Sequence, residues 1–371
     1  MQKRLTSPLK NKVFYKLTTI KTLLKTTMIK PKKLQKGDKV ATISLSWGGA
    51  GEIPNRYQIG KKQIQDNFDL EVVETRNALK PAKWIYENPK ARAEDLMEAL
   101  EDKSIKAIIS NIGGDDSIRM LPFIDLDIIR KNPKIFIGFS DSTVTHFCFY
   151  KAGVTSFYGT STLVGFAENN GMHQYQIDDI NQTLFSNKII GKISPNTEGW
   201  TSERLEWENP ENQNISRQLT KPNGWKFLQG TKTVSGELLG GCFDVLETLK
   251  DTKLWVTPSD WKGKILFFET SEAMMPPHYF LWILRNYVAS GIIHNIKGLI
   301  VGRPYNNQYV VEYEKALIQV IRDEAGLTDL PIITEMDFGH TCPTFTIPYG
   351  IKAEINPVDK TFSIIESALT N

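Results

Sequence analysis

The sequence predicts an α/β protein: a mostly parallel sheet in the first half and a second compact β/α region in the last third. Three observations lead there. Between Lys39 and about Tyr150, short apolar runs alternate with amphipathic patterns at helical spacing. From about residue 233 the same alternation returns. Between them, from 187 to 232, it lapses into a stretch rich in Asn, Glu, Pro and Thr that carries Trp200, Trp207 and Trp225. Strand–helix alternation implies right-handed βαβ units and a sheet with helices on both faces.

The elements follow in order. KVATISLS, LEVVET, KAIISNI and KIFIG read as strands, being apolar runs bounded by turn residues. NRYQIGKKQIQDNF and ARAEDLMEALED read as amphipathic helices, and DSTVTHFCFY can carry a third. The stretch 187–232 is too aromatic for a plain linker and reads as a connecting or lid segment. Beyond it, VSGELLGG, KILFFET, KGLIVG and PIITEM read as strands. FDVLETLK, YFLWILRNYVAS and VEYEKALIQVIRDEAG read as the helices between them. The tail, PTFTIPYGIKAEINPVDKTFSIIES, reads as a hairpin or small meander. The expected division is a basic extension at 1–27, a domain at 28–186, the lid at 187–232 and a second domain at 233–371.

Bulk properties exclude several function classes. No apolar run approaches the roughly 20 residues that span a bilayer. The three cysteines, Cys148, Cys242 and Cys342, are widely spaced and odd in number. That pattern fits neither a disulfide framework nor a zinc site, and it suits a reducing compartment. The formal charge of +3 is set by seven basic side chains within residues 1–27, without which the body stands at about −4. Charge therefore gives no reason to expect nucleic-acid binding. The extension has no apolar core of signal-peptide length. It is expected to be a disordered tail or translated upstream sequence, with Met28 reading as a natural start.

Ligands of open parallel sheets bind beyond the carboxyl ends of the strands. The loops to inspect are SLSWGGAG, NIGGDDS and GFSDS, each directly after a strand. In the last, Ser140 stands at an abrupt strand-to-helix junction, where hydrolases place a nucleophile. Such a serine needs a base and usually an acid to orient that base. Of five histidines, His340 in MDFGHTCP follows a strand and has a glycine beside it, which suits a positioned base. His146 lies on the helix after Ser140 and is expected to face elsewhere; His173 is in a polar loop, His278 follows two prolines, and His294 is expected to be structural. The acid candidate is Glu269, at the end of KILFFE, with Glu272 as the nearby rival. Gly113 and Gly114 let backbone approach a ligand closely. Their loop lacks the G-x-G-x-x-G spacing, and its two acids would repel phosphate, so it reads as a carbonyl or peptide cradle. The N–H of Asp141 is a second oxyanion donor candidate.

Taken together, NIGGDDS, LPFIDLDIIRKNPKIFIGFSD, GELLGG, ILFFETSE and FGHTCPTFTIPYG resemble the LD-carboxypeptidase family of serine peptidases, and within it the microcin C immunity branch. The resemblance runs from about Met28 to the C-terminus. It implies a flavodoxin-like N-terminal domain and a C-terminal swivelling β/α domain, with the site between them. It implies Ser140 as nucleophile, Glu269 and His340 as its partners, and Gly113 and Gly114 at the oxyanion hole. It further implies a cytoplasmic, metal-free and cofactor-free enzyme, commonly a homodimer. The microcin branch hydrolyses peptidyl- or aminoacyl-nucleotide compounds, whereas LD-carboxypeptidases release D-alanine from murein tetrapeptides. The glycine loop is closer to the first. Trp200 and Trp207 are candidates for stacking on a nucleobase or for packing an irregular lid, and Asp115 is a candidate substrate contact. Two departures stand out: Cys242 replaces an Asn common in the family, and Ala273 stands about where some microcin-branch members carry lysine. A non-catalytic binder of peptidoglycan fragments or nucleotides on the same scaffold is the remaining alternative.

Overall fold

The computed structural model describes residues 27–371. Nearly all of the basic extension expected at 1–27 lies outside them. The first strands are β1 (Lys39–Ile43), β2 (Glu71–Glu74), β3 (Ile105–Ser110), β4 (Ile135–Gly138) and β5 (Phe157–Tyr158). Then come β6 (Gly191–Lys192), β7 (Lys226–Gln229), β8 (Val234–Cys242), β9 (Lys264–Glu269), β10 (Gly298–Gly302) and β11 (Ile332–Met336). The chain ends with β12 (Ile347–Pro348), β13 (Lys352–Asn356) and β14 (Thr361–Ile364).

One sheet has the order β12-β5-β4-β3-β1-β2. All its pairings are parallel except β12 with β5. The run β2-β1-β3-β4-β5 is the flavodoxin-like order, in which a crevice opens at the carboxyl ends of β1 and β3. Strand β4 is buried at every position, as expected for an apolar run covered on both faces. The second sheet has the order β6-β14-β13-β8-β9-β10-β11-β7. Its centre, β8 to β11, is parallel. Its flanks, formed by β13, β14, β6 and β7, are antiparallel.

The connecting segment and the tail add strands that the sequence does not mark. The segment 187–232 gives β6 to the edge strand β14 and β7 to the edge strand β11. The tail crosses back to place β12 on β5. Each addition covers an open edge whose unpaired N–H and C=O groups would otherwise invite association. Strands of two to four residues with mixed polarity carry too little periodicity to be read in advance.

The helix Thr143–Ala152 follows the GFSDS turn and is buried on nearly all sides. A helix apolar all round belongs in an interior. Here it lies against β8 and the helix Phe243–Leu249 of the second sheet's unit. Gly153, left-handed at φ 74°, ends it. A single apolar cluster runs from Leu34 to Leu369 and includes strands of both sheets. The two sheets therefore share one core, and the loops after β4, β9 and β11 are held by it.

Candidate active site

Ser140 stands two residues past the β4 terminus, after Phe139, and adopts φ +59°, a left-handed conformation that non-glycine residues rarely take. The turn is held from three directions. Its backbone N–H donates to Tyr158 Oη at 3.0 Å. Its carbonyl accepts from Thr143 Oγ1 at 2.7 Å. Thr143 Oγ1 in turn accepts from the Cys242 N–H at 3.0 Å, tying the turn to the end of β8.

Glu269 ends β9 and is fully buried. His340 follows β11 on a loop whose Gly339 has φ +101° and lies so close to Glu269 that a Cβ would stand 2.7 Å from the Glu269 Cβ. That approach seats the ring against the carboxylate. His340 Nδ1 is 2.7 Å from Glu269 Oε2, and its Nε2 is 3.0 Å from Ser140 Oγ. Phe139 packs edge-on against the ring at 5.0 Å. Residues far apart in the chain thus form one line of hydrogen bonds, with the serine from the first sheet and the other two from the second. Burial opposes a charged imidazole, but the Glu269 carboxylate, then Glu272, outweighs it and raises His340 to about 10.

Of the rival acids, Glu269 takes Nδ1. Glu272 lies on the other side of the ring, 2.8 Å from Nε2, with its side chain 64% exposed. Tyr158 is the residue that sequence reasoning missed. Its hydroxyl donates to Glu269 Oε1 while accepting from the Ser140 N–H, so one phenol connects acid and nucleophile. Burial, reinforced by Glu269, holds its pKa well above the ordinary value and keeps it a donor. The available signal was its place at the end of the short apolar run SFY, beside β4.

The glycine loop faces the nucleophile. A Cβ on Gly113 would stand 2.8 Å from the Ser140 Cβ and 2.9 Å from its Oγ, so any side chain there would displace the serine. Gly114 has φ +139°, and a Cβ on it would meet Ser46 Oγ at 2.4 Å. Among the described residues, neither the Gly114 nor the Asp141 N–H donates a hydrogen bond. Both are without an acceptor from these residues. The Asp141 side chain is engaged separately, its Oδ2 accepting from the N–H groups of Asp116 and Ser117 at 3.1 and 2.8 Å. Asp116, buried, pairs with fully buried Arg92 at 2.7 Å, and Arg92 also donates to the Leu45 carbonyl at 2.9 Å. The loops after β1, β3 and β4 are braced together in this way. Asp115 is exposed beside them.

The tryptophans separate. Trp200 is packed away at 5% exposure, with the Arg303 guanidinium 5.0 Å from its ring centroid. Of the two roles considered for it, that burial favours packing of the lid over stacking on a base. Trp207 is half-buried, with Arg56 4.7 Å and Arg204 4.5 Å from its ring. A buried ion pair, Glu168 with Arg217, fastens the lid segment to the body. His146 is structural, donating from Nε2 to the Gly138 carbonyl at 2.9 Å, with burial lowering it to about 3. His294, expected to be structural, is exposed at a helix end, and so is His278. His173 lies 3.5 Å from Glu168. Cys242 is fully buried, and Ala273 is exposed. Among the described residues no three His, Cys, Asp or Glu side chains cluster as metal ligands, and no helix is long and apolar enough to cross a membrane.

Comparison with known proteins gives this arrangement its context. The chain is 26% identical to a probable murein peptide carboxypeptidase of Bacillus subtilis, over 92% of this chain and 95% of the relative. It is 27% identical to the microcin C7 self-immunity protein MccF of Escherichia coli, over 76% and 80% of the two chains. The crystal structure of an MccF-like protein from Streptococcus pneumoniae in complex with AMP superposes with a TM-score of 0.81. That protein is 31% identical, with 88% of this chain and 98% of the other covered. Residues 40–159 match the LD-carboxypeptidase N-terminal domain and residues 235–355 its C-terminal domain, bracketing Ser140 in one and Glu269 and His340 in the other. The chain belongs to the LD-carboxypeptidase family of peptidases.

Proposed function

We propose that the protein is a serine-type hydrolase of amide bonds acting on peptidyl- or aminoacyl-nucleotide compounds of the microcin C kind, with resistance to such compounds as the outcome. The observation that carries the reading is the unbroken hydrogen-bonded line from Ser140 Oγ through His340 to Glu269. It sits at a left-handed turn beside the glycine loop, where the N–H groups of Gly114 and Asp141 are unengaged. In the neutral imidazole, Nδ1–H donates to Glu269 and Nε2 accepts the Ser140 hydroxyl proton. Ser140 Oγ then bonds to the carbonyl carbon, and the oxyanion is met by the two N–H groups. The C–N bond breaks as His340 returns the proton to the leaving nitrogen. Water, deprotonated by His340 Nε2, attacks the acyl-serine, and the carboxylic acid departs as His340 returns that proton to Ser140 Oγ.

The nucleotide end of the substrate is supported by the half-buried Trp207, whose ring lies among arginines, and by the AMP complex of the similar streptococcal protein. A base stacked on an aromatic face gains about 1–3 kcal/mol. The second reading, release of D-alanine from murein tetrapeptides, is favoured by the similarity to a probable murein peptide carboxypeptidase. A non-catalytic binder has little support, since the three side chains are within hydrogen-bonding reach of one another. The reading includes a homodimer in the cytoplasm, the dimer being open to test by light scattering. One paired assay discriminates the substrates: an aminoacyl sulfamoyl adenosine and an LD-tetrapeptide, each followed by mass spectrometry. The proposal expects cleavage of the first at far higher kcat/KM; preferential release of D-alanine would select the second reading.

A further inference from the structure

The mechanism leaves one carboxylate at the site without a role. Glu272 Oε2 lies 2.8 Å from His340 Nε2, the nitrogen that also holds Ser140 Oγ at 3.0 Å. Ser140 occupies the hydrogen-bonding direction of that nitrogen, so Glu272 approaches out of line, as an ion pair. Its backbone is fixed. The Ser271 N–H donates to Asp244 Oδ2 at 3.0 Å, the Ala273 N–H to Ser271 Oγ at 3.2 Å, and the Met274 N–H to the Ser271 carbonyl at 3.1 Å. Its side chain is open to solvent apart from that ion pair, at 64% exposure against 8% for His340. Among the described residues the carboxylate accepts no aligned hydrogen bond, and the cations that act on it are His340 and Arg204.

A carboxylate with open lone pairs beside a nucleophile is a receptor for a cation. An acyl group under attack has its carbonyl carbon at Ser140 Oγ and its α-substituents one atom further out. Glu272 and Ser140 both lie within one contact of the same nitrogen, so an α-amine falls within reach of the carboxylate. We propose that Glu272 binds the free α-ammonium of an aminoacyl substrate and thereby selects acyl groups whose amine is unblocked. The proposal rests on the hydrolase reading above and narrows its substrate to the aminoacyl-nucleotide form, because the α-nitrogen of a peptidyl group is a neutral amide. An arriving ammonium draws the Glu272 carboxylate off the imidazole, which frees Nε2 to take the serine proton. A blocked amine, with one neutral N–H, matches the carboxylate poorly and leaves it on His340. An anionic substituent is repelled.

The test is a binding measurement, so that it does not depend on turnover. Calorimetry compares alanyl sulfamoyl adenosine with its N-acetyl form on three proteins: S140A, S140A/E272Q and S140A/E272D. S140A is expected to bind the free amine roughly 10–100-fold tighter, the range of a charge-assisted hydrogen bond. S140A/E272Q is expected to bind the two forms about equally, and S140A/E272D to keep part of the preference. An unchanged preference in S140A/E272Q overturns the proposal, as does tighter binding of the N-acetyl form, or of neither form, by S140A. A wild-type protein that shows the Glu272-dependent preference yet hydrolyses neither compound would break the hydrolase reading and leave this one standing.

Discussion

Ser140 and Glu272 touch the same imidazole nitrogen from two sides, and the chain builds the two sides differently. The serine side is interior. Ser140 is 9% exposed, Tyr158 is fully buried, and both sheets contribute to fixing the turn through Thr143 and the Cys242 N–H. The Glu272 side is rim. Its carboxylate is largely in solvent, Arg204 is exposed, and Trp207 is half-buried on a segment fastened by a buried ion pair. The contrast teaches that the reacting atoms are positioned by core packing, which a substitution disturbs as a unit. Selection of substrate falls to side chains that can move singly. Interior changes should therefore lower kcat by large factors, and rim changes should alter KM, selectivity and pH dependence by small ones.

The largest expected effect is Ser140→Ala, a loss on the order of 10⁶-fold in kcat, as for removal of other serine nucleophiles, with binding of substrate analogues retained. Steady-state kinetics alongside calorimetry checks it. Next is Tyr158→Phe, which deprives a buried carboxylate oxygen of its donor and the Ser140 N–H of its acceptor. Each such orphan costs about 1–3 kcal/mol. Both kcat and the midpoint of thermal unfolding should fall, and an unchanged kcat would show that the phenol does not position the acid.

Smaller effects belong to the rim. Trp207→Ala should raise KM for a nucleotide substrate by roughly 5–150-fold, equivalent to the loss of one stacking face, while a nucleoside-free amide is cleaved at an unaltered rate. An equal loss on both substrates would place Trp207 with the interior. Smallest is the pH effect of Glu272→Gln. The negative charge of Glu272 favours protonated His340, which stands raised to about 10, so charged imidazole predominates in the free enzyme at neutral pH. Activity needs the neutral form, so kcat/KM should climb as pH rises toward that value. Removing the Glu272 charge lowers the imidazole pKa and moves this limb to lower pH. A limb that stays in place would show that Glu272 does not act on the imidazole in solution.

The same contrast explains what could be read from sequence. Ser140 and His340 follow strands of the parallel core and Glu269 ends one, and apolar runs ending at polar residues mark those positions without a structure. The parallel sheet likewise follows from alternation in the first half, whereas its flavodoxin-like order follows only from the family resemblance. What escaped were contacts made across the chain. Tyr158 occupies a two-residue strand with no periodicity of its own. Asp141 is legible in sequence only as a backbone N–H donor, because nothing local shows that its carboxylate caps Asp116 and Ser117. Trp200 and Trp207 are alike in composition and surroundings, and only the burial of one beneath Arg303 separates them. The edge strands from 187–232 were unreadable for the reason that Tyr158 was: short, mixed segments are placed by the edge they cover.

The central claim, that Ser140 carries the acyl group between two chemical steps, is tested most directly by trapping it. The protein is mixed with an aminoacyl sulfamoyl adenosine, quenched in acid within the first turnover, and mapped by peptide mass spectrometry. An aminoacyl mass is expected on the peptide containing Ser140, absent from Ser140→Ala. Undiminished hydrolysis by Ser140→Ala, with no acylated peptide in the wild-type protein, would contradict it.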